Sequence, residues 1–121
     1  MKKQNHRRVG ARYEESAVGF LEKQGYVILE RNYRCPMGEI DIVAEEQEYL
    51  CFVEVKYRSQ IQYGGPLYAV DRKKQRRISL AALHYLKGHA KTLYRPVRFD
   101  VVGILPEETI LIKNAFSYWQ G

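Results

Sequence analysis

No stretch of this 121-residue chain is a long apolar run, and a bilayer-spanning helix needs roughly 18–20 such residues. The N-terminal segment Met1–Arg12 is basic and polar and has no apolar signal core. A cytoplasmic protein with no membrane partner is therefore expected. Cysteine is scarce: Cys35 and Cys51 are the only two, far apart and in no CxxC pair. The three histidines, His6, His84 and His89, are scattered. These absences argue against a zinc site or a disulfide scaffold and for two reduced thiols. Internal repeats, low-complexity segments and domain-dividing linkers are also missing. One domain over residues 1–121 is expected, with roughly the first eight residues frayed.

What is present is a core and a charge. Hydrophobic residues make up 45% of the chain, enough to build an interior. The formal net charge is +6, and the pI is about 9.4. A basic surface favours anionic partners, nucleic acid first. Val9–Gln24 has helical periodicity, with Val9, Tyr13, Ala17, Phe20 and Leu21 on one side and Gly25 at the stop. The period then changes. Tyr26–Arg34, Glu39–Ala44 and Tyr49–Tyr57 read as strands, separated by turns at Cys35–Gly38 and Glu45–Glu48. Ser59–Val70 is a loop carrying Gly64-Gly65-Pro66. Asp71 is a suitable N-cap for a helix ending near Lys87–His89. Val97–Leu105 and Thr109–Ala115 are two further strands around the Pro106–Glu108 turn. The order predicts an α/β fold with a mixed central sheet flanked by helices.

The chemistry concentrates in Gly38-Glu39-Ile40-Asp41-Ile42-Val43-Ala44 and Phe52-Val53-Glu54-Val55-Lys56. A hairpin across Glu45–Glu48 pairs Ala44 with Tyr49, Asp41 with Phe52 and Glu39 with Glu54. Opposed residues share a face, so Glu39, Asp41, Glu54 and Lys56 are expected on one side of the sheet. Ile40, Ile42, Cys51, Val53 and Val55 are expected on the other. Three adjacent carboxylates repel one another, and a divalent cation relieves this. Magnesium takes one or two carboxylates and keeps water for its other positions; manganese is the alternative ion. Lys56 beside such an ion is suited to orienting or activating water, or to neutralising charge on a phosphate.

An Asp on one strand followed by Glu-x-Lys on the next resembles the PD-(D/E)xK nuclease superfamily, which has the restriction-endonuclease-like fold. Asp41 matches its Asp, and Glu54-Val55-Lys56 matches its E-x-K; Ile40 replaces the usual Pro. The whole chain from about Val9 to Phe116 resembles the bacterial YraN-like family. The matching elements are Glu14-x-x-Ala17, Gly25-Tyr26, Asn32-Tyr33-Arg34, Gly38–Asp41, Phe52–Lys56, Phe99–Val102 and Asn114-Ala115-Phe116. Tyr13 departs from the family's usual glycine. The resemblance implies that Asp41, Glu54 and the Val55 carbonyl hold the metal and that Lys56 assists the attacking water. It implies that Glu14 binds the metal directly or through water, and that Glu39 supports the site from outside or serves a second metal.

Each of these residues has a plainer reading. Glu14 as a solvated helix residue or an ion-pair partner of Arg34 or another base is one, and Glu39 as a strand-end carboxylate is another. The basic run Arg72-Lys73-Lys74-Gln75-Arg76-Arg77 is either a solvated helix face or a contact to phosphates. Lys74 and Gln75 are its preferred site neighbours, and Arg7, Arg8 and Arg12 are candidates to extend the patch. The aromatic residues are assigned to core or rim, and Asp100, inside an apolar strand, to a structural role needing a partner. The first expectation is a magnesium-dependent endonuclease acting on DNA, on branched or single-stranded substrates among others. The rivals are a nucleic-acid-binding module with little catalysis and an adaptor that meets other DNA-processing proteins. A homodimer is compatible with all three.

Overall fold

The shift from helical to strand periodicity is realised as two helices and one five-stranded sheet. The computed structural model describes residues 2–58, 70–89 and 95–118, with side chains from residue 10 onward. In chain order the elements are α1 (Lys2–Lys23), β1 (Val27–Cys35), β2 (Gly38–Glu46), β3 (Tyr49–Tyr57), α2 (Arg72–Gly88), β4 (Val97–Ile104) and β5 (Thr109–Phe116). Spatial and sequence order coincide, β1-β2-β3-β4-β5. All neighbours are antiparallel except β3 and β4, which are parallel and joined through α2. The expected mixed sheet with flanking helices is therefore present.

Alternation along the strands divides the interior in two. On one face, Ala17 and Leu21 of α1 pack on Ile42, Ala44, Cys51, Val53 and Val102. On the other, Ile78, Ala81, Ala82 and Tyr85 of α2 pack on Val43, Phe52, Phe99 and Val101. Adjacent β3 residues serve opposite helices, as a period of two requires. Asp71 caps α2 as expected, its carboxylate accepting from the Lys74 backbone N–H at 2.8 Å. The β1–β2 turn lies close on α2: a Cβ at Gly38 would meet the Arg77 carbonyl at 3.2 Å. Glycine permits that approach.

Two boundaries differ in an informative way. The first helix begins at Lys2 rather than Val9, because its polar first turns contain good helix formers and lack the apolar period that marks a buried face. The β2–β3 connection is a two-residue turn, Gln47–Glu48, with Gln47 at φ 57°. The observed pairs are Glu46 with Tyr49, Val43 with Phe52 and Ile42 with Val53, two residues out of the expected register. Glu45 and Glu46 look like turn residues in sequence, yet both are held in the strand by ion pairs. Glu45 binds Arg95 at 2.8 Å, and Glu46 binds Arg98 at 3.0 Å and Lys113 at 3.2 Å.

Arg98 is the centre of a buried polar network. It donates to Asp100 at 2.9 Å, and Asp100 also accepts from the Tyr26 hydroxyl at 2.7 Å and the Asn114 backbone N–H at 2.9 Å. Asp100 is fully buried, so its structural reading agrees with the partners found. Burial pushes the Glu46 carboxyl up, but hydrogen bonds from Arg98 and Lys113 hold it below its ordinary range. Asp100→Ala is expected to lower stability by about 3 kcal/mol, since it removes a buried charge partner and strands the Tyr26 and Asn114 donors. A lowered urea midpoint at unchanged m-value checks this.

Candidate active site

The site forms where β2 and β3 part. Their ladder stops at Ile42–Val53. One residue further on, Asp41 Oδ2 accepts from the Val55 backbone N–H at 2.8 Å. The side chain thus takes a donor that a neighbouring strand would otherwise satisfy. The fork is built into β1 as well. Arg31 pairs with Ile42 and Tyr33 with Ile40, so Asn32 lies opposite Asp41. Asn32 adopts φ 55°, a left-handed conformation that asparagine tolerates. Across this break the alternation resets. Arg31 meets Glu14 of α1, whereas Tyr33 packs against Tyr85 of α2. Ile40 likewise joins the α2 core and Ile42 the α1 core.

The expected single acidic face is therefore corrected. Glu54 and Lys56 line a cavity of about 290 Å³ beside α2, together with Val55, Arg58, Asp71 and Lys74. Glu39 and Asp41 line a second cavity of about 250 Å³ beside α1, with Tyr13, Glu14 and Asn32. Val55 and Tyr57 border both. Ile40 does not share a face with Ile42, because the break at Asn32 and Asp41 intervenes. Asp41 lines the cavity beside α1, yet its charge acts on Glu54.

Electrostatics single out the acidic pair. Burial raises the Asp41 carboxyl, and Glu39 and Glu14 add to this, against the Val55 N–H and Lys74. Glu54 is buried, and burial together with the Asp41 charge pushes it up to about 7, against the opposing pull of Lys74 and Lys56. Lys74 Nζ lies 3.3 Å from Glu54 Oε1. Burial and Arg58 lower the Lys56 ammonium, while Glu54 raises it. Both carboxyls are therefore harder to ionise than free ones, and a nearby divalent cation would oppose that effect. The donors fit magnesium: two carboxylates and the Val55 carbonyl are hard oxygens, and magnesium takes few protein ligands.

Other expected members sit elsewhere. Glu14 accepts from Asn32 at 2.7 Å and pairs with Arg31 at 3.4 Å, not with Arg34. Glu39 pairs with exposed Arg34 at 3.2 Å. Both glutamates line the cavity that holds Asp41, and their charges act on its carboxyl; among the described residues no three His, Cys, Asp or Glu side chains are grouped as a ready-made metal site. Gln75 donates to the carbonyl of Val70, which lines the same cavity as Lys74, at 2.7 Å. Lys73, Arg76 and Arg77 are exposed on α2, and Arg12 is exposed on α1. The side chains of Arg7 and Arg8 and the Gly64–Pro66 loop lie outside the described residues. Sequence reasoning missed Asn32 and the ring pair Tyr13–Tyr57, stacked at 3.9 Å. An asparagine inside a strand was the available signal for the first.

Fold and site together define a class: a small mixed α/β protein with half-buried Asp41 and buried Glu54 at a strand fork, the latter faced by lysines. The chain belongs to the uncharacterised protein family UPF0102, whose model matches residues 13–104. It is 53% identical to a UPF0102 protein of Lachnoclostridium phytofermentans over 108 residues, covering 89% of this chain and 92% of the relative. A relative from Alcanivorax borkumensis is 45% identical, covering 85% and 86% of the two chains. One from Shewanella oneidensis is 44% identical, covering 89% and 98%. The YraN-like resemblance is thereby established at the level of the family. No helix among the described residues is long and apolar enough to cross a membrane.

Proposed function

We propose that this protein is a magnesium-dependent endonuclease of restriction-endonuclease-like fold, hydrolysing phosphodiester bonds in DNA. The observation that carries this reading is buried Glu54, raised to about 7 by burial and by the charge of Asp41, with Lys56 and Lys74 on the same cavity as Glu54. A pair that burial makes reluctant to ionise is a receptive place for a divalent cation. Bound there, the ion would polarise a phosphate and acidify a coordinated water. Asp41, Glu54 and the Val55 carbonyl are the groups that would hold it, with Asp41 oriented by its bond to the Val55 N–H. Lys56, with its charge weakened by burial, is placed to orient the attacking water or to offset charge on the phosphate. Manganese is expected to substitute for magnesium.

The rival reading is a DNA-binding module without cleavage. The Lys74–Glu54 ion pair favours it, because an ammonium at 3.3 Å already neutralises one carboxylate without a metal. Incubation with linear, single-stranded and four-way-junction DNA separates the two. Cutting that needs magnesium or manganese and stops with chelator supports the enzyme; binding without cutting supports the module.

Under either reading the exposed cations of α2 contact the DNA backbone. Lys73→Ala combined with Arg77→Ala is expected to weaken binding on all sequences alike. The slope of log affinity against log salt should flatten by about two, roughly one per lost phosphate contact. An unchanged slope, read from a titration at several salt concentrations, removes α2 from the interface.

A further inference from the structure

Tyr57 ends β3 immediately after Lys56, and it lies flat on Tyr13 of α1. The ring centroids are 3.9 Å apart and the planes are 14° from parallel. A hydrogen bond that Tyr13 donates to Tyr57, and then burial, raise the Tyr13 phenol above its ordinary range. The position is unusual for a core contact. Tyr57 is 36% exposed, and it borders both the cavity holding Glu54 and Lys56 and the cavity holding Asp41. Two stacked rings therefore stand at the rim of the acidic pair, beside the cations Lys56, Arg58 and Lys74.

We propose that Tyr13 and Tyr57 form a stacking platform for an unpaired nucleobase, which makes single-stranded DNA, or the unpaired part of a branched DNA, the preferred substrate. This rests on the proposed nuclease reading for the acidic pair and names the substrate class of that site. The chemistry is general: an exposed aromatic ring next to phosphate-binding cations takes a base on its face whatever the base's identity. A base inside a duplex already has neighbours above and below and offers no free face. A base that is unpaired, with its phosphate beside Lys56 or Lys74, can add a third ring to the Tyr13–Tyr57 stack.

The test uses the full chain and oligonucleotides carrying 2-aminopurine, whose fluorescence falls on stacking, with calcium in place of magnesium. Wild type should quench the probe in single strands and leave it unchanged in a blunt duplex. Tyr57→Leu should abolish the quenching and weaken single-strand affinity about tenfold, since one base–ring stack is worth about that factor. Its salt slope and duplex affinity should stay as in wild type. Tyr57→Phe and Tyr57→Trp keep a ring and should retain quenching, and they carry the test if the leucine variant fails to fold. Wild type that binds without quenching, or quenching that survives Tyr57→Leu, overturns the platform, as does failure to bind single strands. Wild type that cuts DNA with magnesium but shows no quenching refutes the platform alone. Quenching by a protein that never cuts refutes the nuclease reading and leaves the platform standing.

Discussion

Asp41→Asn is expected to reduce magnesium-dependent DNA cleavage by about a hundredfold or more while leaving DNA binding within a few-fold of wild type. The asparagine carbonyl can still accept from the Val55 N–H, as Asp41 Oδ2 does at 2.8 Å. The fork therefore keeps its shape, and only the charge is lost. Lys56→Ala should cut activity by a similar factor for a different reason: both carboxylates remain, but the Lys56 ammonium no longer faces the phosphate or the attacking water, and Lys74, paired with Glu54 at 3.3 Å, does not replace it. Both variants should keep most of the wild-type salt slope, because the exposed cations of α2 are untouched; Lys56→Ala should lower it by at most about one, the single phosphate contact it removes. Gel assays of cleavage, paired with binding titrations in chelator, separate the two quantities. Cutting that persists in both variants would place the activity in another protein or another site.

The second large effect is on stability. Glu54 is raised from 4.5 to about 7 in the folded protein. A carboxyl with a raised folded pKa binds its proton more tightly when folded than when unfolded. Its contribution to stability is therefore fully present below about pH 4.5 and is lost as pH rises through 7. At 1.36 kcal/mol per unit the loss is on the order of 3 kcal/mol. The metal-free protein should melt several degrees lower at pH 8 than at pH 5 from this group alone. Glu54→Gln should remove most of that slope and stabilise the metal-free protein at pH 8. Magnesium, by binding the folded state, should restore stability to wild type at pH 8 and do little for the glutamine variant; at a hundred times its dissociation constant the gain is about 2.7 kcal/mol. Thermal melts at the two pH values, with and without magnesium, read all four outcomes. A wild-type melting temperature indifferent to both pH and magnesium would show that the acidic pair is not under the tension described.

Much of this was legible in the chain itself. Element order, the Asp71 cap and the assignment of most β3 residues to their faces followed from periodicity and turn chemistry. The two-residue error in hairpin register left the β3 side chains on the expected faces, because an even slip preserves alternation. The grouping of Glu39 and Asp41 with Glu54 failed for a local reason. Asn32 in a left-handed conformation and Asp41 opposite it break the period of two, so Ile40 and Ile42 part company. Alternation counts along one strand cannot register a break set by the neighbouring strand's backbone. Glu14 does have an ion-pair partner, but it is Arg31 rather than Arg34, and Asn32 joins it from the same distant segment. Likewise the bond from Gln75 to the Val70 carbonyl was not visible from spacing. Such choices depend on tertiary neighbours, which spacing alone does not encode.

The most direct trial of the account is to soak a crystal of the protein in manganese and record anomalous diffraction. A single peak within ligand distance of the Asp41 and Glu54 carboxylates and the Val55 carbonyl, with Lys74 swung away from Glu54, is the predicted result. A blank map there, with the Lys74–Glu54 ion pair undisturbed at saturating manganese, would contradict it.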